Sequence, residues 1–322
     1  MLMKTLAFTK YGSPDFLNLK EIETPTPNDD EVLVKIHAAS INSWDYELLL
    51  GKPFANRAMF GLFKPKVKTL GADIAGRVVA IGKNIRWFSA GDEVLGDLSG
   101  NGWGGFAEYV CVSENTLTLK SAKMTFGEAA TLPQAGALAL HGLHDKGQVK
   151  EGQKVLINGA GGGVGTFAIQ MAKSSGAIVT GVDSNEKLAI MTSCGADQVI
   201  DYTKEDFTKN GLQYDLIIDN VASRSIFAIK RALSTKCRYV IIGGTTIMQF
   251  VILGPLIAIT GKKMGLLIHN TKPEDIKIMN ELLETGKVAP VIDRVYPLNE
   301  VPDALLYFGE GHAKGKVVIS ME

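Results

Sequence analysis

A glycine-rich turn between a short apolar run and a helical pattern constrains this chain more than any other feature. The run Val155-Leu156-Ile157 predicts a buried parallel strand, glycines follow from Gly159, and apolar residues recur at helical spacing from Val164 onwards. In a strand–turn–helix unit, the backbone N–H groups and the dipole at the helix start face a pyrophosphate. The stretch therefore predicts a dinucleotide site.

The turn departs from the strict fingerprint G-x-G-x-x-G. The best register aligns Ala160, Gly162 and Gly165 with the three glycines, so an alanine stands at the first position. The residues predicted to contact the cofactor here are Ala160, Gly161, Gly162, Gly163, Val164 and Gly165. The alternative is a tight turn between strand and helix that binds no ligand.

The chain that follows favours the dinucleotide interpretation. A second apolar strand is predicted over 177–182, and Asp183 follows it. This acid stands about 20 positions past the glycines, where dinucleotide-binding domains carry a carboxylate that accepts a hydrogen bond from the ribose 2′-OH. Further apolar runs lie at 198–202, 214–219, 239–244 and 266–268, most of them separated by helical segments. This alternation predicts a doubly wound parallel sheet of the Rossmann type, and hence a nicotinamide dinucleotide as ligand.

Composition limits the class of protein. The 322 residues suffice for two domains, and 46% apolar with 21% charged residues is typical of a globular chain. The 34 basic and 34 acidic residues give a formal charge of zero, so no basic excess points to nucleic acid or an anionic membrane, although a neutral total can contain a local basic patch. We therefore expect neither as a partner.

The cysteines and the apolar stretches favour a cytoplasmic protein. Cys111, Cys194 and Cys237 lie far apart and form no C-x-x-C pair, which suits a reducing compartment and argues against a four-thiolate zinc site. The first residues lack a signal-peptide pattern. The most apolar stretch, 250–259, is too short to cross a bilayer and is interrupted by Gly254-Pro255.

The rest of the chain predicts a second, β-rich domain. Apolar residues alternate at Val32, Val34 and Ile36, and glycines recur between short strand patterns up to residue 122, which favours a small barrel. Helical spacing begins near Thr125, and β patterns return after residue 285, ending in the strand at 316–319. We predict a β-barrel domain from 1–123 and 286–322, and a Rossmann domain from 124–285.

This order of motifs resembles the medium-chain dehydrogenase/reductase superfamily over nearly the whole chain, most closely its zinc-free quinone oxidoreductase branch. The segments that carry the resemblance are 6–12, 31–36, 39–45, 71–76, 91–94, 160–165, 195–197 and 315–318. The resemblance implies an α/β protein in which a GroES-like β-barrel domain is joined to a Rossmann doubly wound parallel sheet domain.

The resemblance also bears on metal binding. The cysteine ligand of the zinc alcohol dehydrogenases falls on Asn42, and their Gly-His-Glu falls on Gly71-Ala72-Asp73. An amide and a methyl group cannot replace thiolate and imidazole, and 132–135, near the third ligand position, lacks cysteine. We expect no metal, and we interpret His141 and His144 as surface or core histidines.

Without a metal to polarise an alcohol, hydride transfer requires an acceptor that is already electrophilic, such as a quinone or an α,β-unsaturated carbonyl. By resemblance, Asn42 and Asp45 lie near the nicotinamide, and Tyr46 could donate a proton to the nascent enolate. The alternatives are a turn residue for Asn42, a helix N-cap for Asp45 and a packed aromatic ring for Tyr46.

The sequence contains signals both for and against a 2′-phosphate on the cofactor, that is, for NADPH and for NADH. In related quinone reductases, a lysine after the second strand and a tyrosine after the third hold the 2′-phosphate. Lys187 and Tyr202 match them, with Ser184 nearby. Asp183 would repel that phosphate, and Lys187 could instead belong to a solvated helix face. NADPH is favoured, with NADH as the competitor.

Further contacts are carried over from the resemblance. The additional residues expected to reach the cofactor are Asn220, Val221, Gly243, Gly244, Thr245 and Lys316. The leading functional hypothesis is an NAD(P)H-dependent quinone or enone reductase with a small-molecule substrate. The alternative is a cofactor-binding protein with a structural or regulatory role and little turnover. Related proteins often form homodimers that pair sheet edges, and 266–268 is the candidate edge here.

Overall fold

The computed structural model describes residues 1–243, 263–267 and 269–321. The strands are β1 Leu2–Ala7, β2 Asn18–Glu23, β3 Glu31–Ser40, β4 Asp73–Ile81, β5 Glu93–Asp97, β6 Tyr109–Ser113, β7 Leu117–Leu119, β8 Lys154–Asn158, β9 Ile178–Asp183, β10 Gln198–Asp201, β11 Tyr214–Asp219, β12 Leu233–Ile241, β13 Lys263–Leu266, β14 Ile292–Pro297 and β15 Lys316–Ser320. The α-helices are α1 Ser43–Leu50, α2 Phe54–Phe60, α3 Phe126–Ala129, α4 Pro133–Leu140, α5 Gly163–Ser174, α6 Leu188–Ser193, α7 Ile226–Ala232, α8 Pro273–Glu284 and α9 Val301–Gly309. A π-helical segment, His141–Lys146, follows α4 directly.

The chain separates into two compact units. The first contains Met1–Gln134, Thr271–Glu284 and Ile292–Glu322, and the second contains Ala135–Asn270 and Thr285–Val291. Residues 124–134 and 271–284, which the sequence assigns to the Rossmann domain, belong to the first unit in this division.

Hydrogen bonds explain why α8 belongs to the first unit. The side chain of Asn280 donates to the carbonyl of Leu119 at 3.0 Å, and the Thr118 hydroxyl donates to the carbonyl of Pro273 at 3.3 Å. Both bonds tie α8 to β7. A helical pattern in a sequence does not say which sheet the helix will contact.

The first unit is built on a largely antiparallel sheet in the order β14-β15-β3-β4-β5-β7, with β6 also paired to β3. The central strand β3 pairs with β4 on one edge. On the other edge it pairs with β6 over Glu31–Lys35 and with β15 over Ala38–Ser40. The alternating Val32, Val34 and Ile36 are buried in the core, as their spacing predicts.

The second unit is built on a parallel sheet in the order β10-β9-β8-β11-β12-β13. The predicted parallel sheet is therefore confirmed. Its central strand β8 carries three fully buried apolar residues, as expected for a strand covered on both faces. The strand predicted at 266–268 is misplaced: β13 ends at Leu266, and residue 268 lies outside the described residues.

Among the described residues, no helix combines the length and the apolar character that crossing a bilayer requires.

Candidate functional site

The glycine-rich turn joins β8 to α5 in the second unit. Gly159 has φ +75°, a left-handed conformation that favours glycine, and its N–H donates to the Val182 carbonyl at 2.9 Å. The N–H of Ala160 donates to the same carbonyl at 3.1 Å. The turn is thus tied to the end of β9, and Gly162 becomes the N-cap of α5.

The glycines of the turn meet different steric demands. A Cβ on Gly165 would lie 2.3 Å from the Gly159 carbonyl oxygen and 2.5 Å from the Ala160 Cα, so the helix approaches the turn too closely for any side chain. A Cβ on Gly162 would have only the Gly159 oxygen within 4 Å, at 3.6 Å. The space above Gly162 is therefore open.

This arrangement fits a diphosphate. The first N–H groups of a helix have no partner within it, which makes those of Gly163, Val164 and Gly165 donors for an anion. The open space above Gly162 lets such an anion approach the backbone closely. A tight turn without a ligand would require Gly159 and Gly165 but would not require that open space.

Asp183 supports the turn from the end of β9. Its side chain is buried; Oδ2 accepts the Gly161 N–H at 2.9 Å, and Oδ1 accepts the Ser184 N–H at 2.9 Å. Both carboxylate oxygens therefore accept hydrogen bonds from backbone N–H groups. The sequence predicted this acid as an acceptor for the ribose, and it did not reveal this supporting role.

Lys187 lies against Asp183 and covers the turn. Its Nζ is 3.7 Å from Asp183 Oδ1, and the side chain is only 9% exposed. A Cβ on Gly161 would lie 2.6 Å from the Lys187 Cβ. Lys187 is therefore not on a solvated helix face. Its positive charge offsets the repulsion that the Asp183 carboxylate would exert on a 2′-phosphate.

The remaining residues predicted to bind the phosphate lie around the same acid. The N–H of Tyr202 donates to the Asp183 carbonyl at 3.1 Å, and the Tyr202 side chain is exposed after β10. Ser184 follows Asp183 directly and lies within 3.5 Å of a Glu186 carboxylate oxygen. The fold thus brings Asp183, Ser184, Lys187 and Tyr202 together at the ends of β9 and β10.

The turn after β11 lies beside the glycine-rich turn. A Cβ on Gly159 would contact Val221 at 3.0 Å and Asn220 at 3.2 Å. The Asn220 Nδ2 donates to the Asn158 carbonyl at 3.0 Å, while its Oδ1 is buried with no donor among the described residues. Gly243 stands two residues after the end of β12, and a Cβ on it would lie 3.3 Å from the Asn220 carbonyl oxygen, whereas Gly244 and Thr245 lie outside the described residues.

Asp219 fixes this second turn, and sequence reasoning missed it. Its Oδ1 accepts the Val221 and Ala222 N–H groups at 3.0 and 2.7 Å, and its Oδ2 accepts the Tyr239 hydroxyl at 2.7 Å. Burial raises the pKa of Tyr239, and the adjacent Asp219 carboxylate raises it further, so the phenol stays a donor. The signal in the sequence was an acid ending a buried strand, as at Asp183.

The candidate catalytic residues lie at the start of α1 in the first unit. Asn42 is the N-cap, and Asp45 accepts the Asn42 N–H through Oδ2 and the Gly71 N–H through Oδ1, both at 3.0 Å. Asp45 therefore acts within the cap of α1 and also holds a second loop. Burial raises the pKa of Asp45 to about 6, although the two N–H groups and Lys316 oppose the shift.

Tyr46 packs against α9. Its ring meets the Phe308 ring edge to face, with 6.3 Å between the ring centres. Its hydroxyl oxygen packs so closely against Gly309 that a Cβ on that glycine would lie only 2.3 Å from it. This is the environment of the packed aromatic that the sequence left open as the alternative.

Lys316 carries a buried charge in the same unit. Its Nζ donates to the Asn42 Oδ1 at 2.6 Å and to the Ile41 carbonyl at 3.0 Å, and lies 3.7 Å from Asp73 Oδ2. The sequence predicted a contact from Lys316 to the cofactor. Among the described residues, its ammonium contacts Ile41, Asp73 and Asn42, the last at the position where zinc enzymes carry cysteine, and the contact to the cofactor stays a prediction.

Asp73 balances this ammonium. Its two oxygens each lie 3.2 Å from the Gln134 N–H, and the Ser40 hydroxyl is 3.5 Å from Oδ2. Burial raises the pKa of Asp73 to about 7 against the opposing charge of Lys316. Burial likewise lowers the pKa of Lys316. Asn42, Asp73, Gln134 and Lys316 form what we call the Lys316 cluster.

In the described part of the chain, no three His, Cys, Asp or Glu side chains are arranged to hold a metal ion. His141 lies 3.9 Å from Asp145 on the π-helical segment, and burial lowers the pKa of His144.

Three family models match the chain. They are an alcohol dehydrogenase GroES-like domain over residues 28–122, a zinc-binding dehydrogenase over 194–319, and the C-terminal domain of alanine dehydrogenase/PNT over 140–225. The GroES-like match falls in the first unit, and the alanine dehydrogenase/PNT match falls in the second. The predicted combination of a GroES-like domain with a Rossmann sheet is confirmed.

Similar proteins extend over nearly the whole chain. A 2-methylene-furan-3-one reductase of Solanum lycopersicum is 35% identical across 98% of this chain and 79% of its own length. An NADPH-dependent alkenal/one oxidoreductase of Arabidopsis thaliana is 33% identical across 98% and 79%. The structure of a quinone oxidoreductase from Coxiella burnetii matches with a TM-score of 0.89 and 31% identity over 100% of both chains.

Substitution of the two central glycines should separate ligand binding from folding. We expect Gly162→Val to leave the melting temperature unchanged and to weaken NADPH binding by more than about tenfold, because the side chain fills the open space above the turn. We expect Gly165→Val to lower the melting temperature, since its side chain meets backbone atoms. Calorimetry and fluorescence titration measure the two effects. Unchanged NADPH affinity in Gly162→Val would contradict this register of the loop.

Removal of the Asp183 carboxylate should weaken both cofactors. We expect Asp183→Ser to raise the dissociation constants of NADPH and NADH together, by about tenfold to a hundredfold, because a charged hydrogen bond to the turn is worth about 1.5–3 kcal/mol. Glu186→Ser, which removes an exposed acid from the next turn, is the matched control. Stronger NADPH binding with weaker NADH binding would instead assign Asp183 to the ribose.

The buried Asp45 should make stability depend on pH. Because its folded pKa of about 6 exceeds its ordinary value of 3.8, the folded protein holds this proton more tightly than the unfolded chain does. Relative to Asp45→Asn, the free energy of unfolding of the wild type should therefore fall by about 2 kcal/mol between about pH 4 and pH 7. Urea denaturation at both pH values measures it. A difference that is constant with pH would show that Asp45 ionises normally.

Proposed function

Because the chain belongs to the medium-chain dehydrogenase/reductase superfamily, in its quinone oxidoreductase branch, we propose that it is an NADPH-dependent, zinc-independent reductase of quinones or α,β-unsaturated carbonyl compounds. The relatives named as an alkenal/one oxidoreductase and as a quinone oxidoreductase support this class of acceptor. NADH is the competing cofactor.

One observation carries the proposal: a buried ammonium is bonded to Asn42, at the position where zinc dehydrogenases carry a thiolate ligand. Lys316 Nζ lies 2.6 Å from the Asn42 oxygen, and Ala72 is buried where those enzymes carry histidine. An amide, a methyl group and an ammonium do not make a zinc site. The acceptor must therefore be electrophilic without help from a metal, which describes quinones and enones.

The second unit supplies the nucleotide site. We assign the diphosphate to the N–H groups at the start of α5, and the 2′-phosphate to Lys187 with Tyr202 and Ser184. Asp183 supports the turn that presents those N–H groups. Asn220, Val221 and Gly243 line the neighbouring strand ends, where ligands bind in parallel sheets. When bound, the nicotinamide supplies the hydride.

The first unit supplies groups suited to a carbonyl acceptor. Hydride addition to an enone or quinone places negative charge on an oxygen atom, which hydrogen-bond donors stabilise best where water is excluded. Asn42 is buried and carries an amide donor. We propose that Asn42 contacts the substrate, while Asp45 and Tyr46 support α1 at this position rather than exchanging a proton.

We further propose a cytoplasmic homodimer. Cys111, Cys194 and Cys237 form no disulfide within the described chain, which suits a reducing compartment. Among the described strands, β13 ends the parallel sheet, and a terminal strand can pair with a second copy. Analytical ultracentrifugation measures the mass in solution, and a monomer at micromolar concentration would contradict the dimer.

A turnover assay tests the proposed function. We expect NADPH oxidation, followed by its absorbance, with quinones and enones as acceptors. We expect Lys187→Ala to weaken NADPH by about tenfold to a hundredfold and to leave NADH nearly unchanged, because one charged contact to the phosphate is lost. Lys209→Ala removes an exposed lysine of the same unit and serves as the control.

Two results would contradict these assignments. If neither cofactor is oxidised with any acceptor, the protein is not a reductase of this class, and tight NADPH binding without turnover would favour a structural or regulatory role. If Lys187→Ala weakens both cofactors equally, Lys187 does not recognise the 2′-phosphate.

A further inference from the structure

The solvent-facing side of α2 is apolar. Phe54 is 66% exposed and Met59 is 65% exposed, and the two alanines between them on the same side, Ala55 and Ala58, are exposed as well. These four positions share one face of the helix, because residues three and four apart lie side by side. The exposed face of a helix ordinarily carries polar side chains. This helix therefore presents to solvent a surface of the kind that other helices bury.

The charged residue of α2 is turned toward the protein instead. Arg57 Nε donates to the Gly51 carbonyl at 3.1 Å, and the guanidinium lies 4.8 Å from the centre of the Tyr11 ring. On the same inward side, the Phe60 ring meets the Trp103 ring edge to face, with 5.2 Å between the ring centres. These contacts fix the rotation of the helix about its axis, so its apolar face stays in solvent.

The loop after α2 adds two more exposed apolar side chains. Phe63 is 86% exposed, and Leu62 beside it is exposed as well. The loop is held against the end of the helix, because the Lys66 N–H donates to the Phe60 carbonyl at 2.7 Å. The exposed apolar side chains of the helix are therefore continued by those of the loop.

Lysines border this apolar stretch on both sides along the chain. All four are exposed, and they are Lys52, Lys64, Lys66 and Lys68. Pro65 and Val67, which separate the last three, are buried, so these three lysines share the solvent side of the segment. No Asp or Glu occurs from residue 48 to residue 72. The nearest acid along the chain, Glu47, shares a hydrogen bond with Asn56. The local charge is therefore positive although the whole chain is neutral.

The 52–68 surface is our name for these exposed side chains: Lys52, Phe54, Met59, Leu62, Phe63, Lys64, Lys66 and Lys68. A second copy of this chain is a poor occupant, because a twofold contact sets the same surface against itself and brings like charges together. A nucleic acid would attract the lysines but would leave the apolar side chains without a partner. An anionic bilayer offers both an apolar phase and, above it, negative headgroups.

We propose that the 52–68 surface docks on membranes that contain anionic phospholipids. Phe54, Met59 and Phe63 enter the boundary between headgroups and acyl chains, and the four lysines contact the headgroups. The protein then lies on the membrane and does not span it. Its neutral composition did not predict this partner, because net charge is summed over the whole chain whereas docking depends on the charge of one surface.

The position of the surface gives docking a consequence for the acceptor. The Phe60 ring also meets the Trp44 ring of α1, with 6.1 Å between the ring centres. A docked surface therefore lies beside the helix whose start carries the candidate catalytic residues. Apolar quinones and enones partition into the lipid phase, and docking shortens their path to that helix. The docking itself does not rest on the proposed reductase function.

Sedimentation of the full chain with lipid vesicles tests the inference. The vesicles contain phosphatidylcholine alone, or phosphatidylcholine with phosphatidylglycerol. We expect the wild type to bind only the vesicles with phosphatidylglycerol, and to bind them less as salt is raised. Neutralising three lysines in Lys64→Gln/Lys66→Gln/Lys68→Gln should weaken binding by about a hundredfold. Phe63→Ser should weaken it by about tenfold, because one buried ring is lost from the boundary.

Matched control variants lie in the second unit. Lys150→Gln/Lys204→Gln/Lys209→Gln neutralises three exposed lysines, and Phe227→Ser removes a ring that is 64% exposed. We expect both controls to bind the vesicles as the wild type does. Circular dichroism checks that every variant is folded, which the exposure of the substituted side chains favours.

Phe63→Trp reports whether this side chain enters the lipid. We expect its emission to move to shorter wavelength when vesicles with phosphatidylglycerol are added, and to be quenched by lipids that carry bromine on their acyl chains. The wild type, which contains Trp44, Trp87 and Trp103, gives the background signal.

Four results would overturn the inference. The first is a wild type that does not bind vesicles with phosphatidylglycerol. The second is equal weakening by the surface variants and their controls, which would assign the binding to total charge. The third is vesicle binding without quenching of Phe63→Trp. The fourth is a dimer that Phe54→Ser dissociates in ultracentrifugation without any vesicle binding, which would assign the surface to a contact between copies. Turnover of water-soluble acceptors without vesicles tests the proposed function separately, and the variants of this surface should leave it unchanged.

Discussion

The ammonium of Lys316 is the interaction on which the first unit depends. It joins the first residue of β15 to the turn between β3 and α1, far apart in the sequence. A buried charge of this kind is tolerated only when opposite charge and hydrogen bonds replace the water it has lost. Ile41, Asn42 and Asp73 supply that replacement, and they fix the start of α1 in doing so.

Buried polar side chains also fix the loops of both candidate sites. Asp45, Asp183 and Asp219 are buried carboxylates, and each accepts at least two backbone N–H groups from a loop or a helix start. The backbone N–H groups of a loop lack the regular carbonyl partners that a helix or a sheet provides, so a carboxylate serves as their hydrogen-bond acceptor. These acids hold the loops in place, and our proposal assigns the ligand contacts to the N–H groups and amides around them.

Much of the fold could be predicted because it depends on local pattern. The β8–α5 turn, the parallel strands and the alternation along β3 follow from apolar spacing and glycine positions. The start of β13 could not be predicted, because Lys263, Met264 and Gly265 carry no strand pattern before the apolar Leu266. The unit to which α8 belongs was also hidden, since two hydrogen bonds between distant residues decide it.

The candidate site was predictable to a similar degree. The residues around the glycine-rich turn came from spacing, but the burial of Lys187 against Asp183 came from the fold. Lys316 was predicted as a cofactor contact, which stays a prediction, and its bonds to Ile41 and Asn42 were not foreseen, because a position in the chain does not give the direction of a side chain. The bond from the Gln134 backbone N–H to Asp73 was not foreseen, since a residue at the start of a helix gives no sign of its partner in a distant strand.

The pairing of β15 with the end of β3 has a consequence for how the chain is made. Ala38–Ser40 meet Val318–Ser320 only after the ribosome has synthesised the whole second unit. Until then, one edge of β3 lacks its last partner, and the Asn42 oxygen lacks its cation. The nucleotide-binding sheet has all of its described strands earlier. During synthesis, the second unit can therefore assemble before the first. Until β15 emerges, the end of β3 exposes unpaired backbone N–H and C=O groups, which chaperones protect and which can pair with a strand of another chain.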